Sequence, residues 1–511
     1  MPIHRLRTPV SIGIAVLLTA CAAVKEPKPF TEDENKDRAK VDQLRMYEQQ
    51  EPVTGPITFY EAAARALKYN LDYRLKLMES ALAANLRDVS SHEMLPRLVA
   101  SAGRSGRNND SGGTSIGIED RQVSLRPSTS EERYHTVAGL GLSWSTLDFA
   151  VGYYRTAQKA DQMLMAEERR RKVAQNVLQD VRSAYWRALG AQRLLPQVDG
   201  LLARTQDALR QAREAQDKGL LPRQEILAYQ RALLDSVSLL TARRQDLEFA
   251  QAELRALMSL PPGAPMQLVD APDPSLPKLG ADLSQLEQLA LVRRPEIQEE
   301  WYRARVNQRD LDIAKAQLWP NVGVSLGARY DSNAYLYNEH WRAAGIDVSI
   351  NLLRLLQLPS LNAAQESQAK TDDMRRVALS MAVLTQVRIG ALRYALTMQE
   401  LQFANQSLKV DTDLLDYSRS ARKTSVGSEL EVIRAEGRYL LSRYQREAAQ
   451  SAAEAAWGRL YNSVGLDVFP KEIESHDVKT LAAEIERITN NMETYRLIGA
   501  VPGDGSPNLA K

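Results

Sequence analysis

Four short runs of the chain alternate between apolar and polar positions, and most of the rest repeats at helical spacing. Between Trp319 and Leu353, Val322, Val324, Leu326, Ala328 and Tyr330 stand at every second position, with Asn321, Gly323, Ser325, Gly327 and Arg329 between them. After a polar turn, Asp331 to Trp341, the alternation resumes with Ala344, Ile346, Val348 and Ile350 against Gly345, Asp347, Ser349 and Asn351. Period two puts each set on its own face of a sheet. Each run is about the 9–11 residues that a tilted strand needs to cross a bilayer. Earlier, Leu98 to Arg104 starts a strand, and Ala138, Leu140, Leu142 and Trp144 alternate with Gly139, Gly141 and Ser143. The predicted strands are about 95–107, 135–149, 319–331 and 342–353. The glycine- and serine-rich loop after the first, around Asn108 to Gly113, has little apolar surface with which to order itself.

Thr58 can cap a helix, with Glu61 in the capping-box position, and the helix is expected to run to about His92. Ala63, Ala66, Leu67, Leu71, Leu75, Met78 and Leu82 mark its apolar side, and Leu95-Pro96 ends it. A second helix is predicted from Val151 to Asp217, about 100 Å at 1.5 Å per residue, with a kink at Pro196 and Gly200. The turn Gly219-Leu220-Leu221-Pro222 reverses the chain into a shorter helix ending near Met258, so the long helices occupy 151–258.

The order of elements then repeats. Residues 57–263 form a first copy, 264–281 a proline-rich linker and 282–470 a second copy, with its long helices over 361–466. Arg294-Pro295 falls 224 residues after Asn70-Leu71, and Trp319-Pro320 falls 224 after Leu95-Pro96. Beyond the strands the offset is 206, as in Val181-Arg182 with Val387-Arg388 and Glu225-Ile226-Leu227 with Glu431-Val432-Ile433. A longer first hairpin loop absorbs the difference. Such internal repetition governs every other fold assignment. Val177, Val181, Ala184, Ala188, Ala191 and Leu195 form a seam of small residues, repeated as Val383, Val387, Gly390, Tyr394, Thr397 and Leu401. An ordinary bundle core has the same period. Length argues for an extended helical wall, because two short helices end to end match one long one.

Composition adds an address and removes some functions. Lys and Arg total 66 against 64 Asp and Glu, a formal charge of +2, which makes no case for nucleic acid. With 25% charged and 6% aromatic residues, composition alone fits a helical soluble protein. His4, Arg5 and Arg7 precede the apolar run Val10 to Leu18, so 1–20 reads as a signal peptide. The string Leu18-Thr19-Ala20-Cys21 resembles the bacterial lipobox, which implies acyl chains, palmitate among them, on Cys21. A buried free thiol is the alternative. Ala22, by resemblance to the enterobacterial sorting rule, implies the outer membrane. Residues 21–56, punctuated by Pro27, Pro29, Pro52 and Pro56, read as a lipidated linker. Beyond the signal no apolar run reaches 18 residues, so any membrane span must be made of strands. The segment 471–511 carries Leu481, Ile485 and Ile488 on one helical face, and its tail is expected to be disordered.

Four strands cannot close a barrel and open edges cannot face lipid, so the chain is expected to oligomerise. Three copies supply twelve strands, an even number within the range of outer-membrane barrels. The duplicated element order, the Leu/Trp-Pro before each first strand, the Gly-Leu turn followed by an acid, and the lipobox together resemble the TolC family of outer-membrane efflux proteins, lipoprotein branch. The resemblance spans about 57–466. It implies a mainly α chain with a membrane β-barrel part: a trimeric 12-stranded β-barrel continued by a long α-helical barrel. It also implies a homotrimer among outer-membrane lipids, docked on a periplasmic adaptor and an inner-membrane transporter, with no nucleic-acid partner.

The chemistry is sparse. The five histidines (His4, His92, His135, His340, His476) are scattered, and no zincin, phosphate-loop or paired-cysteine string occurs. No catalytic residue, cofactor or metal is expected, and Met163 and Met165 read as helix surface or core. The resemblance makes Gly219, Leu220, Leu221, Pro222, Ser425, Val426, Gly427 and Ser428 the periplasmic tip that meets the adaptor. Glu225, Glu431 and Arg434 become candidates for the pore constriction, with Arg223, Arg422 and Arg434 as possible ion-pair partners; two solvated acids near helix N-termini are the plain alternative. Ser425 stands where the family has glycine, and Arg434 where its best-known member is acidic. Trp144, Tyr330 and Trp341 suit an aromatic girdle. A lipid-anchored periplasmic coiled-coil scaffold without a pore is the competing function. An enzyme is opposed by the lack of a convergent polar set.

Overall fold

The structure, a computed structural model, describes residues 29–48, 50–124, 126–218, 222–270, 276–279, 282–424, 429–470, 473, 477–491 and 500–501. Residues 1–51 and 52–511 are separate units. In the first, where the prolines predict an irregular linker, Glu32–Met46 form helix α1. Thr31 and Glu34 make a complete capping box: Glu34 N donates to Thr31 Oγ1 (3.3 Å) and Thr31 N donates to Glu34 Oε2 (2.8 Å). The helix buries no residue, so caps and first-turn acids, not packing, define it. Cys21 and the predicted signal peptide lie outside the described residues.

The second unit runs α2 (Phe59–Tyr69), α3 (Leu71–Ser91), β1 (Arg97–Gly106), β2 (Tyr134–Ser145), α4 (Thr146–Asp217), α5 (Arg223–Leu257) and a short β3 (Lys278–Leu279). It continues with α6 (Leu283–Arg293), α7 (Pro295–Ala316), β4 (Asn321–Asp331), β5 (His340–Ser349), α8 (Leu358–Lys423), α9 (Glu429–Val464), α10 (Val478–Thr489) and β6 (Ala500–Val501), which pairs with β3. The internal repeat is met at the element ends. Leu71 and Pro295 open α3 and α7, 224 residues apart, and Arg223 and Glu429 open α5 and α9, 206 apart.

The single helix expected from Thr58 to His92 is two. Asn70 leaves the helical region (φ −61°, ψ 125°), and its side chain accepts from Asp72 N (3.0 Å) and Tyr73 N (3.1 Å), capping α3. Arg294, its counterpart, has nearly the same backbone (φ −63°, ψ 127°), there enforced by Pro295 at the first helical position. At Thr58 the hydroxyl cap on Glu61 N forms (3.1 Å), whereas the Glu61 carboxylate accepts from Arg65 Nε (2.9 Å). Helix α4 begins five residues earlier than predicted because Ser145 caps it, accepting from Asp148 N at 3.0 Å. It stays helical through Pro196 and Gly200.

The small-residue seams are where the short helices dock. Ala62, Ala63, Ala66 and Leu67 of α2 pack against Val177, Val181, Ala184 and Ala188 of α4, with Leu481 and Ile485 of α10. Leu286 and Ala290 of α6 pack against Val383, Val387 and Tyr394 of α8 and Trp457 and Leu460 of α9. Buried Val and Leu side chains contribute about 1.5–3 kcal/mol each, so these two docks account for much of the middle of the molecule. A buried tyrosine tethers the chain before each short helix: Tyr185 donates to the Ile57 carbonyl (3.2 Å) and Tyr394 to that of Pro277 (2.5 Å). Burial pushes the Tyr185 hydroxyl up to about 12.

All four long strands form one antiparallel sheet in the order β1-β2-β4-β5, with β2 and β4 joining the two copies. Each strand carries its alternation into register: Leu98 opposes Leu142, Leu142 opposes Leu326, and Leu326 opposes Ala344. The loop 107–133 is more ordered than its composition suggests. Bridges Gly113–Ser128 and Ile116–Val123 zip it, and Arg133 clamps Asp110 with bonds of 2.6 and 2.7 Å.

Candidate functional site

Two places stand out: the sheet, and the far end of the helices that leave it. On one sheet face lie Leu98, Ala100, Leu140, Leu142, Trp144, Val324, Leu326, Ala328, Tyr330, Ile346 and Val348; on the other lie Ser101, Gly139, Gly141, Ser143, Gly323, Ser325, Gly327, Arg329, Gly345 and Asp347. Among the described residues no helix covers the outer strands, since every residue of β1 and β5 is exposed. Among the described residues β1 pairs only with β2 and β5 only with β4, so both edges are open. Past β5 a turn of 3-10 helix, Leu352–Gln357, leaves Leu352, Leu353, Leu355 and Leu356 exposed beside the apolar face.

Two of the three predicted girdle residues share that face. Trp144 opposes Val324 and Tyr330 opposes Ala138, six residues further along β4, or roughly 20 Å at 3.4 Å per residue. They mark opposite ends of the apolar band, Trp144 against Phe149 (5.9 Å) and Tyr330 stacked on His340 (4.8 Å). Trp341 does not join them. Its partner is Arg329, which puts it on the small, polar face, as its odd position in a strand with even-numbered apolar residues requires. At the sheet's loop end, hydrogen bonds from Arg133 hold the Asp110 carboxyl below its ordinary range.

At the other end, α4–α5 and α8–α9 are two helical hairpins. Gly219, Leu220, Leu221, Ser425, Val426, Gly427 and Ser428 lie outside the described residues, and Pro222, exposed, precedes α5. Glu225, Glu431 and Arg434 are exposed on the first turns of the returning helices. Near these turns, ion pairs between the hairpins run through Glu429 and Glu436. Glu436 of α9, buried, accepts from Arg204 of α4 (Nη1–Oε2, 2.6 Å) and from Arg419 of α8 (Nη2–Oε1, 3.0 Å). Glu429 accepts from the other arm of Arg204 (3.0 Å) and from Arg422. The result is an alternating chain, Arg419–Glu436–Arg204–Glu429–Arg422, in which Arg204 is the one member from the first copy. Arg422 is a predicted partner of the constriction acids, and it pairs with Glu429, two residues before Glu431. Pairing between residues 225 and 232 positions apart leaves no trace in local spacing.

Among the described residues no group of three or more His, Cys, Asp or Glu could hold a metal ion, and no helix is long and apolar enough to cross a membrane. A cavity of about 630 Å³ opens among α4, α5, α8 and α9, where Arg187 and Glu253 are paired at 2.8 Å. Also in its lining, Tyr444 Oη donates to Asp246 Oδ2 at 3.3 Å.

Residues 65–259 match the model of the outer membrane efflux protein family. Solved channels share the fold at low identity. CusC superposes with a TM-score of 0.59 at 16% identity, covering 82% of this chain and 96% of its own. The open-state MtrE outer membrane channel of Neisseria gonorrhoeae gives 0.58 at 16% identity over 80% of this chain and 89% of that one. The CmeC outer membrane channel of Campylobacter jejuni gives 0.61 at 11% identity over 88% and 95%. No curated protein sequence matches the chain.

Proposed function

We propose, from a chain that carries the outer membrane efflux protein domain in a TolC-like channel fold, that it is the outer-membrane channel of a tripartite efflux or secretion system: a passive exit duct whose energy comes from its partners. The observation that carries this reading is the four-stranded sheet with two open edges and outer strands exposed along their whole length, set at one end of helices up to 72 residues long. Unpaired strand edges are not tolerated in lipid. A homotrimer pairs β5 of each copy with β1 of the next and closes twelve strands. The apolar face, bounded by Trp144 and Tyr330, then meets lipid, and the glycine- and serine-rich face lines a narrow lumen. Helix α4, roughly 110 Å long, carries the lumen on through the periplasm.

In that orientation the loops 107–133 and 332–339 face outside and the hairpin turns point inward. Acyl chains on Cys21 anchor each copy, each buried methylene adding about 0.8 kcal/mol. The turns at 219–222 and 425–428 meet a periplasmic adaptor, and through it an inner-membrane transporter. Glu225, Glu431 and Arg434 line the mouth, where exposed carboxylates favour cations, and the Arg204–Glu436 clasp holds it narrow. The test is purification of the full chain in detergent, followed by gels with and without boiling and by planar-bilayer recording. A heat-labile trimer that conducts is expected. A monomer without conductance would leave the lipid-anchored scaffold as the reading to pursue.

A further inference from the structure

The cavity of about 630 Å³ among α4, α5, α8 and α9 lies between the two copies, and its size falls within the roughly 300–1,000 Å³ of small-molecule pockets. Its acids are answered by the chain. Asp246 accepts from Arg243 (3.0 Å) and Tyr444 (3.3 Å), Glu447 pairs with Arg193 (3.3 Å) and Arg446 (2.9 Å), and Glu253 pairs with Arg187 (2.8 Å). Two of its cations are not answered. Arg393 and Arg459 are exposed in its lining, and among the described residues neither forms an ion pair.

The internal repeat sets these two cations against an existing pair. At the offset of 206, Arg187 corresponds to Arg393 and Glu253 to Arg459. Burial supports the alignment, since Leu254 and its counterpart Leu460 are both fully buried, as Ala250 and Ala456 are both buried. The first copy therefore sets an arginine of α4 against a glutamate of α5, and the second carries two arginines at the same positions of α8 and α9. Like charges held together without a counter-ion repel. Asp180 of α4 feels the charge of Arg459, but burial and the charge of Glu253 push its carboxyl upward, and among the described residues no ion pair joins the two.

We propose that this cavity binds a small amphipathic anion, with its acidic head at Arg393 and Arg459 and its apolar body along α9. Guanidinium forks match the paired oxygens of a carboxylate or a sulfonate. From Arg459 back to Ala448, α9 presents Ala455, Ala452, Ser451 and Ala448 to the cavity, a floor of small residues about 16 Å long. Leu194, Leu247 and Ala250 add apolar wall, and Phe249, 71% exposed, loses water contact when the body lies against it. Glu447 stands about three turns of α9 from Arg459, so the cavity has acid at one end and unanswered cations at the other. That polarity keeps the head from binding the other way round. One chain holds the whole site, which goes beyond the channel reading and does not depend on it.

The test is fluorescence titration of the full chain in lipid nanodiscs, with empty nanodiscs subtracted, using anilinonaphthalene sulfonate and its uncharged analogue N-phenylnaphthylamine. The sulfonate should saturate at one per chain. Arg459→Glu, which gives the second copy the pair that the first already has, should weaken it about tenfold or more. Arg393→Gln should weaken it too, while the uncharged probe should be indifferent to both changes. Ala452→Leu, which fills the floor and leaves the charges alone, should weaken both probes. Absence of saturable sulfonate binding, or full affinity in Arg459→Glu and Arg393→Gln, overturns the site. A loss in those two variants that the uncharged probe shares equally overturns the role of the arginines, and full affinity in Ala452→Leu puts the probe outside the cavity and overturns the site as well.

Discussion

Arg204 supplies two of the four links in the clasp and is its one contribution from α4, so Arg204→Ala cuts both of the clasp's links between the first hairpin and the second. The link to Glu436 is the stronger, because that carboxylate is buried and the bond is short (2.6 Å). A charge-assisted bond of this kind is worth about 1.5–3 kcal/mol. The link to Glu429 joins two side chains that are each more than 40% exposed and adds about 0.2–1 kcal/mol. Glu436 keeps Arg419, so no buried charge is stranded and the larger penalty for an unpaired ion does not apply. A loss of about 2–3 kcal/mol raises the population of a parted tip about 30- to 150-fold. Planar-bilayer recordings of the purified protein read this as greater open probability, and cells carrying the variant should admit large antibiotics they otherwise exclude. Arg204→Lys, which keeps charge and loses the two-armed geometry, should fall between the two. Raising salt should mimic only the Glu429 part. Unchanged conductance and unchanged exclusion, in a variant that folds and assembles as the parent does, would refute the clasp.

Period and punctuation made most of the architecture legible. The strictly alternating runs are the stretches that form β1, β2, β4 and β5, and the offsets of 224 and 206 separate Leu71 from Pro295 and Arg223 from Glu429 at the element starts. What escaped was whatever depends on contacts between copies or on a local competition. The pairing of β2 with β4 joins the copies, and no short-range signal encodes it. The break at Asn70 was hidden by an apolar period running through it, though Pro295, next to the equivalent Arg294, carried the signal. Trp341 was grouped by residue type when its parity already assigned it to the polar face. Helix α1 depends on a capping box that a count of flanking prolines overlooks. The clasp acids Glu429 and Glu436 share one face of α9, but Arg204 reaches them only once both long hairpins have formed.

Two further outcomes follow from the joint where α9 ends against α7. Gly465 has φ +76°, and a Cβ there would lie 2.8 Å from Arg293 C and Arg294 N, which are backbone atoms and cannot swing aside. Gly465→Ala should therefore cost about 1–3 kcal/mol, seen as a lower midpoint in thermal unfolding followed by circular dichroism; an unchanged midpoint would count against the strain. The second concerns Glu296, which lies between the copies. Burial pushes its carboxyl upward, but bonds from Arg294 Nε (2.9 Å) and Nη2 (2.8 Å), with the charges of Arg294 and Lys172, outweigh burial and hold it below its ordinary value. A folded-state value below the unfolded one means that the stabilisation is complete above the usual glutamate range, about pH 4.3, and is lost as pH falls through the folded value. Glu296→Gln removes a charged acceptor worth about 1.5–3 kcal/mol at neutral pH and cannot lose it again in acid. The difference in stability between parent and variant should accordingly be largest near neutrality and shrink below about pH 4. A difference that stays constant from neutral to acid pH would show that the carboxylate's charge is not what holds this joint.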